Sequence, residues 1–266
     1  TLSLSSAASD VYKRQGYILS FRSLRKKLGL QRAEFAASGA APIAPEVLKF
    51  FMSIGVPLFE AYGMTENCAY ATSNSPENIK IGTVGVPAHG VELKLAEDGE
   101  ILIRSGGVFK GYFKDEQATN ETIDKDGWLY TGDVGIFEGD FVKIVDRKRD
   151  IIITSGGKNV SPSEIENKIK VSPFVKEAIV IGDRRKFLSV LIGIEFDTVS
   201  NWALRKNIPH TTYRDLSEKQ EVKDLVWKEI LKANEKTSSL EVREFRMIPK
   251  ELDHEEGELT ATQKVK

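Results

Sequence analysis

The chain has 266 residues, 41% apolar and 29% charged, which is enough apolar material for one large globular domain or two smaller ones. Thirty-eight basic residues almost balance thirty-nine acidic ones, so the net charge of −1 gives no support to a nucleic-acid partner, and none is expected. Cys68 is the only cysteine, which excludes an intrachain disulfide and a cysteine-based zinc site and fits a reducing, cytoplasmic setting.

The first fifteen residues, TLSLSSAASDVYKRQ, are rich in Ser and Ala and have no apolar signal core. They resemble a translated adapter sequence, so residues 1–15 are read as a non-native or disordered leader. Residues 17–30 show a basic amphipathic helical pattern with Ile18, Phe21, Leu24 and Leu28 on one face. A short strand then ends in Ser38-Gly39-Ala40-Ala41-Pro42. Pro45 opens a helix that closes near Gly55, and residues 56–62 read as a strand entering a glycine turn. Beyond residue 80 the pattern becomes β-rich. Val91, Leu93 and Leu95 alternate with Glu92 and Lys94, and Asp98-Gly99 turns the chain into residues 100–104 as a hairpin. Further turns are expected at Asp126-Gly127 and Glu138-Gly139-Asp140.

The charge run Asp146-Arg147-Lys148-Arg149-Asp150 reads as an exposed connector at a domain boundary. After it come a strand over residues 151–154, a loop at Gly156-Gly157 and a helix begun by Ser161-Pro162-Ser163-Glu164. There Ser161 caps, Pro162 takes the first helical position and Glu164 reaches back to the cap. Two strands over residues 178–182 and 188–196, a helical region over residues 218–236 and a strand over residues 242–248 complete the chain. None of the apolar runs is long enough to span a bilayer.

Three polar groups sit beside glycines or at strand ends. Tyr62-Gly63-Met64-Thr65-Glu66 combines an aromatic face, a hydroxyl and a carboxylate, a set that could stack a base, bond a phosphate and hold a hard cation. Taken alone, a core tyrosine beside a solvated glutamate is as good a reading. Asp133, in Trp128-Leu129-Tyr130-Thr131-Gly132-Asp133, could accept two hydrogen bonds from a vicinal diol, although a plain turn aspartate is favoured by spacing. Thr154-Ser155-Gly156-Gly157-Lys158-Asn159 could bring backbone close to a ligand but is not a Walker P-loop, and a bland turn is the stronger reading. His89, His210 and His254 match no metal-ligand spacing, and Cys68 is read as a small buried apolar side chain.

In this order, the segments resemble the core motifs of the adenylate-forming (AMP-binding) enzymes. They are Ser38-Gly39-Ala40-Ala41-Pro42, Tyr62-Gly63-Met64-Thr65-Glu66, Tyr130-Thr131-Gly132-Asp133, the run from Asp146 to Asp150, and residues 156–166. The likeness covers nearly everything after residue 16. The ending Glu258-Leu259-Thr260-Ala261-Thr262-Gln263-Lys264-Val265-Lys266 and the insertion over residues 201–223 resemble the long-chain acyl-CoA synthetases, including their bubblegum-like branch; aryl- or medium-chain-acid ligases are the runner-up.

The resemblance implies an α/β (α+β) fold. Residues 16–146 would be the C-terminal part of a large AMP-binding domain with a β-rich subdomain, residues 147–149 a hinge centred on Arg149, and residues 150–266 a small mobile lid domain. It also implies fatty acid, ATP and coenzyme A as substrates, with Mg2+. Gly39, Ala40, Ala41, Tyr62 and Gly63 would enclose the adenine, Thr65 would contact phosphate, and Glu66 would hold the metal. Asp133 would bind the ribose with Arg147 beside it, Gly156 and Gly157 would line the pantetheine path, and Lys264 would bridge the carboxylate and the α-phosphate. The family's Ser/Thr/Gly-rich phosphate loop is not found in the chain, which is therefore read as a fragment that does not turn over alone. A non-catalytic module of the same fold is the alternative from another class. The basic stretch over residues 22–32 offers peripheral contact with an anionic membrane surface, against the plainer reading of a solvated helix face.

Overall fold

The computed structural model describes residues 21–235, 237, 241–253 and 255–258. It has a mixed α/β fold that divides into two compact units, Thr1–Val145 and Asp146–Lys266.

In the first unit, helix α1 (Arg22–Lys27) and helix α2 (Pro45–Ser53) end in the same way. Each has a glycine in the left-handed region just past its end, Gly29 at φ 72° and Gly55 at φ 80°. Leu30 N donates back to Arg25 O and Val56 N to Phe51 O, which satisfies carbonyls that a helix end otherwise leaves open. The basic helix expected over residues 17–30 is thus observed as six residues, because Gly29 stops it; residues 17–20 lie outside the described residues. Its Arg25 reaches the following loop. The guanidinium donates to the carbonyls of Leu30, Ala33 and Gly55 and ties the loop to the end of α2.

Two four-stranded sheets follow. The first has the order β1 (Ala36–Ser38), β2 (Leu58–Tyr62), β3 (Thr72–Ser73), β4 (Val86–Pro87), with β1 and β2 parallel. The second has the order β5 (Glu92–Leu95), β6 (Glu100–Arg104), β7 (Leu129–Glu138), β8 (Phe141–Arg147). The hairpin expected at Asp98-Gly99 is present, with Asp98 Oδ1 accepting from Glu100 N and Gly99 at φ 83°. Ile101, Ile103 and Val142 are fully buried and pack with Tyr62 and Ala71. A short helix α3 (Glu116–Thr122), capped by Asp115, lies between β6 and β7 in the chain.

The second unit is built on a more regular plan. Strands β9 (Ile152–Ile153) and β10 (Asn159–Val160) form a hairpin. Strands β11 (Val175–Ile181), β12 (Leu188–Ile194) and β13 (Val242–Met247) form a three-stranded sheet. Helix α4 (Pro162–Lys170) starts at Ser161, whose hydroxyl accepts from Glu164 N, with Pro162 in the first turn. The Glu164 carboxylate pairs forward with Lys168 at 2.6 Å instead of reaching back to the cap, because that lysine lies one turn along the same face. Helices α5 (Phe196–Arg205), α6 (Tyr213–Glu218) and α7 (Gln220–Glu235) complete the unit. In α7, Val222, Val226 and Ile230 recur every four residues, and all three are fully buried. They pack in one core with Leu188, Val190, Ile192 and Ile194, each also fully buried. Each such side chain contributes about 1.5–3 kcal/mol by leaving water.

The run from Asp146 to Asp150 is not simply an exposed connector. Asp146 is 6% exposed at the end of β8. Its carboxylate accepts from Arg147 N, Ser161 Oγ, Ser163 N and Ser163 Oγ at 2.7–3.0 Å. Four donors offset the cost of burying the carboxylate, which ties the end of β8 to the N-terminus of α4. Cys68 also differs from expectation. It is exposed, because it follows the 3-10 turn Thr65–Asn67 at φ 57° and its side chain points away from the core. His210 is a satisfied side chain, with Nε2 2.7 Å from Ser200 Oγ, and His254 lies outside the described residues.

Candidate functional site

The chemistry-bearing residues of the first unit gather at the carboxyl ends of its two parallel strands. Ser38 pairs with Glu60 in the β1–β2 register, so Gly39, Ala40 and Ala41 leave β1 beside the point where Tyr62 ends β2. Ligands of open α/β sheets bind outside the carboxyl ends of the parallel strands. Gly39, Ala40 and Ala41 are all exposed, and Ala40 sits in the left-handed region at φ 66°. A Cβ at Gly39 would lie 3.1 Å from Ala61 O, so the two strand ends run close together.

The loop after Tyr62 is held by its own backbone. Asn67 N and Ala69 N both donate to Met64 O, Cys68 N donates to Thr65 O, and Asn67 Oδ1 accepts from Met64 N at 2.9 Å. Cys68 and Ala69 are both left-handed, which folds the chain back on itself. A Cβ at Gly63 would lie 2.3 Å from the backbone of Ala69, so the loop closes only around a glycine. This compact turn leaves Thr65 exposed and Glu66 half-buried at its rim. Glu66 O accepts from Phe109 N at 2.7 Å, and Glu66 Oε1 accepts from Tyr112 Oη at 2.8 Å.

Asp133 reaches the same place through an irregularity in β7. Glu100 pairs with Val134 and Leu102 with Tyr130, so the single residue Ile101 on β6 faces Thr131, Gly132 and Asp133 on β7. A bulge of this kind bends a strand and re-aims its side chains. Gly132 supplies the positive φ of 71°, and its N–H donates to Glu100 Oε1. Thr131 Oγ1 donates to Ile101 O and accepts from Asp133 N, which locks the bulge. Asp133 is 7% exposed, and its Oδ2 accepts from Tyr62 Oη at 2.6 Å. Two residues 71 positions apart, one expected at the adenine and one at the ribose, are therefore joined by a short charge-assisted hydrogen bond.

Glu60 and Tyr112 were not singled out by the sequence. Burial pushes the Glu60 carboxyl up to about 7, partly offset by the Gly82 backbone N–H. Its Oε2 is buried with no hydrogen-bond partner among the described residues. Hydrogen bonding to Glu66 raises the Tyr112 phenol above its ordinary value. A carboxylate in mid-strand and a tyrosine in a loop carry no periodic signal, so only the fold reveals either.

The second unit holds Arg147, Arg149, Gly156 and Gly157. Arg147 is exposed at the end of β8, and Arg149 Nε lies 3.5 Å from Asp150 Oδ1. Gly156 and Gly157 form the exposed tip of the β9–β10 hairpin, closed by Thr154: its carbonyl accepts from Gly157 N, its N–H donates to Lys158 O, and its Oγ1 accepts from Lys158 N. Lys264 lies outside the described residues. Among the described residues, no group of three or more His, Cys, Asp or Glu side chains could hold a metal by itself. No helix among them is long and apolar enough to cross a membrane.

The chain is similar to known proteins along most of its length. A family model of AMP-binding enzymes matches residues 6–113, and one of the AMP-binding enzyme C-terminal domain matches residues 149–266. The long-chain-fatty-acid–CoA ligase FadD15 of Mycobacterium bovis is 37% identical over 93% of the chain, which spans 42% of that relative. The long-chain-fatty-acid–CoA ligase ACSBG2 of Xenopus laevis is 38% identical over 66% of the chain and 25% of its own length. Among solved structures, O-succinylbenzoate coenzyme A synthetase from Bacillus subtilis, in complex with ATP and magnesium ion, superposes with a TM-score of 0.62 at 26% identity. That match covers 86% of this chain and 44% of the synthetase. The adenylation domain of a carboxylate reductase from Mycobacterium chelonae shares the fold at a TM-score of 0.67 over 86% of this chain and 36% of its own. The chain belongs to the AMP-binding enzyme family, and it spans less than half the length of these relatives.

Proposed function

We propose that this chain supplies the adenosine-binding half and the lid of an ATP-dependent long-chain fatty acid–CoA ligase. The observation that carries the reading is the Tyr62–Asp133 hydrogen bond at the carboxyl ends of β1 and β2, which unites two separate family motifs in one site. The names of relatives at 37–38% identity support the long-chain substrate. In the reaction, a fatty carboxylate oxygen attacks the α-phosphorus of ATP and pyrophosphate leaves. The thiol of coenzyme A then attacks the acyl carbon, loses its proton, and AMP departs.

The residues fit those steps. Gly39, Ala40, Ala41 and Gly63 present backbone and little side chain, as a wall against a flat base requires, with the Tyr62 ring behind them. Asp133 is fixed in place by the Tyr62 hydroxyl and accepts hydrogen bonds from the ribose hydroxyls, with Arg147 following at the end of β8. The exposed Thr65 hydroxyl is available to phosphate. Glu66 and Thr65 offer only oxygen donors, which suits magnesium, an ion that commonly takes one protein carboxylate and completes its shell with phosphates and water. When bound, the metal screens the phosphate charge that the attacking carboxylate must approach. Lys264 neutralises the same charge from the protein side, and residues 147–149 act as the hinge that exchanges it for the Gly156-Gly157 tip, which lines the pantetheine path. The phosphate loop and acyl pocket belong to the part of the relatives that this chain does not cover, so the 266 residues alone are not expected to turn over.

The test uses a full-length polypeptide in which that part is present. Lys264→Ala lowers fatty-acid-dependent ATP–pyrophosphate exchange by about two to three decades, while thioester formation from supplied acyl-adenylate is largely spared. Equal loss in both half-reactions would overturn the role of Lys264. A panel of long-chain, medium-chain and aryl acids decides the substrate. The likeness to an O-succinylbenzoate synthetase is what keeps the aryl reading in view.

A further inference from the structure

Glu66 is held from two sides by one short segment. Phe109 N donates to its carbonyl oxygen at 2.7 Å, and Tyr112 Oη donates to its Oε1 at 2.8 Å across 46 positions of sequence. The segment is itself braced. Tyr112 N donates to Thr119 Oγ1 at 2.9 Å, and Thr119 Oγ1 donates to Asp115 O at 2.7 Å. The Tyr112 ring meets the Phe109 ring edge-on, with centroids 4.9 Å apart. Gly111, at φ 141°, has no room for a side chain, since a Cβ there would lie 2.6 Å from the Thr119 methyl. Tyr112 is 39% exposed, so burial does not account for this bracing. The bracing does fix where the phenol oxygen sits, and through it the rotation of the Glu66 carboxylate.

We propose that Tyr112 is a positioning residue for Glu66: its hydroxyl sets the plane of the carboxylate, so that a metal–nucleotide complex meets an oxygen already aimed. The proposal rests on the reading of Glu66 as the magnesium carboxylate. A glutamate side chain at a loop rim otherwise samples several rotamers, and each metal-binding event must first select one. Groups that orient a ligand without touching the metal commonly matter to affinity almost as much as the ligand does.

The experiment follows Mn2+ in place of Mg2+, by the electron paramagnetic resonance signal of the free ion, on the full-length polypeptide in the presence of ATP. Tyr112→Phe keeps the ring and its packing and removes only the hydroxyl. It weakens Mn2+ binding by about ten-fold, with near-ultraviolet circular dichroism unchanged. In ATP–pyrophosphate exchange, the Mg2+ concentration for half-maximal rate rises in step, while the KM for the fatty acid stays put. In a Glu66→Gln background the same Tyr112→Phe change has almost no further effect on Mn2+ affinity, because the partner it orients is gone. Wild-type Mn2+ affinity in Tyr112→Phe overturns the positioning role, and so does an equal loss in the two backgrounds, which marks a general disturbance of the loop. If Glu66→Gln alone leaves Mn2+ affinity unchanged, the reading of Glu66 fails, and that failure is seen separately from the first.

Discussion

The two units solve the packing problem in opposite ways. The second unit is held by volume. Fully buried aliphatic side chains on β12 and α7 recur at strand and helix spacing, and the glycines at its hairpin tip meet nothing within 4 Å where a Cβ would stand. The first unit is held around its site by backbone close approach and by buried polar pairs: Gly63 against Ala69, the Thr131-Gly132-Asp133 bulge, and Tyr62 bonded to Asp133. Side-chain volume can be exchanged among aliphatic residues at modest cost, whereas a loop closed at van der Waals limits cannot admit one carbon. A loop closed by its main chain in this way is rigid.

The largest expected effect breaks the first unit at its tightest point. Gly63→Ala places a carbon 2.3 Å from the Ala69 backbone, so the Tyr62–Asn67 loop must open. A loss of about 4 kcal/mol or more is expected, read as lost amide-exchange protection over residues 58–73. Wild-type protection there would show that the close approach is not what holds the loop. The matching change in the second unit is Ile230→Ala. It leaves a cavity in the α7 core and costs about 3 kcal/mol in denaturant unfolding.

Asp146 sharpens the comparison, because it is a polar tie inside the volume-packed unit. Asp146→Asn keeps the shape but supplies two donors where Ser161 Oγ, Ser163 N and Ser163 Oγ all donate. A loss of about 2 kcal/mol is expected, with fraying at the start of α4. An unchanged midpoint would return Asp146 to the status of an ordinary connector residue.

The smallest effect is a pH dependence confined to the first unit. The Glu60 carboxyl is raised from 4.5 to about 7 in the folded chain. Between those values the folded state binds the proton more tightly than the unfolded state, so stability falls as pH rises through this window and then levels. Glu60→Gln removes that slope and stabilises the unit at pH 8 by about 1 kcal/mol, once partial solvent exposure is allowed for. A slope that persists in the variant assigns it to another group.

The amino-acid order was enough for many of the local elements and for the family, although α3, α5 and α6 were not read from it. Helix caps, glycine stops and hairpin turns depend on neighbours within a few residues, and the Ser161-Pro162 start, the Gly55 stop and the Asp98-Gly99 turn are all present as read. The order of the motifs was enough to point to an AMP-binding enzyme. Tertiary structure alone decided which of those residues meet. The Tyr62–Asp133 and Glu66–Tyr112 pairs span 71 and 46 positions. The burial of Asp146 depends on serines 15 and 17 residues away. Cys68 faces solvent because two left-handed residues turn the loop outward. Periodicity records the environment of a side chain along its own element, but a hydrogen bond between distant loops leaves no period behind. Tyr62, Glu66 and Asp133 could therefore be picked out as candidates from the sequence, whereas Glu60, Tyr112 and the way these residues meet could not.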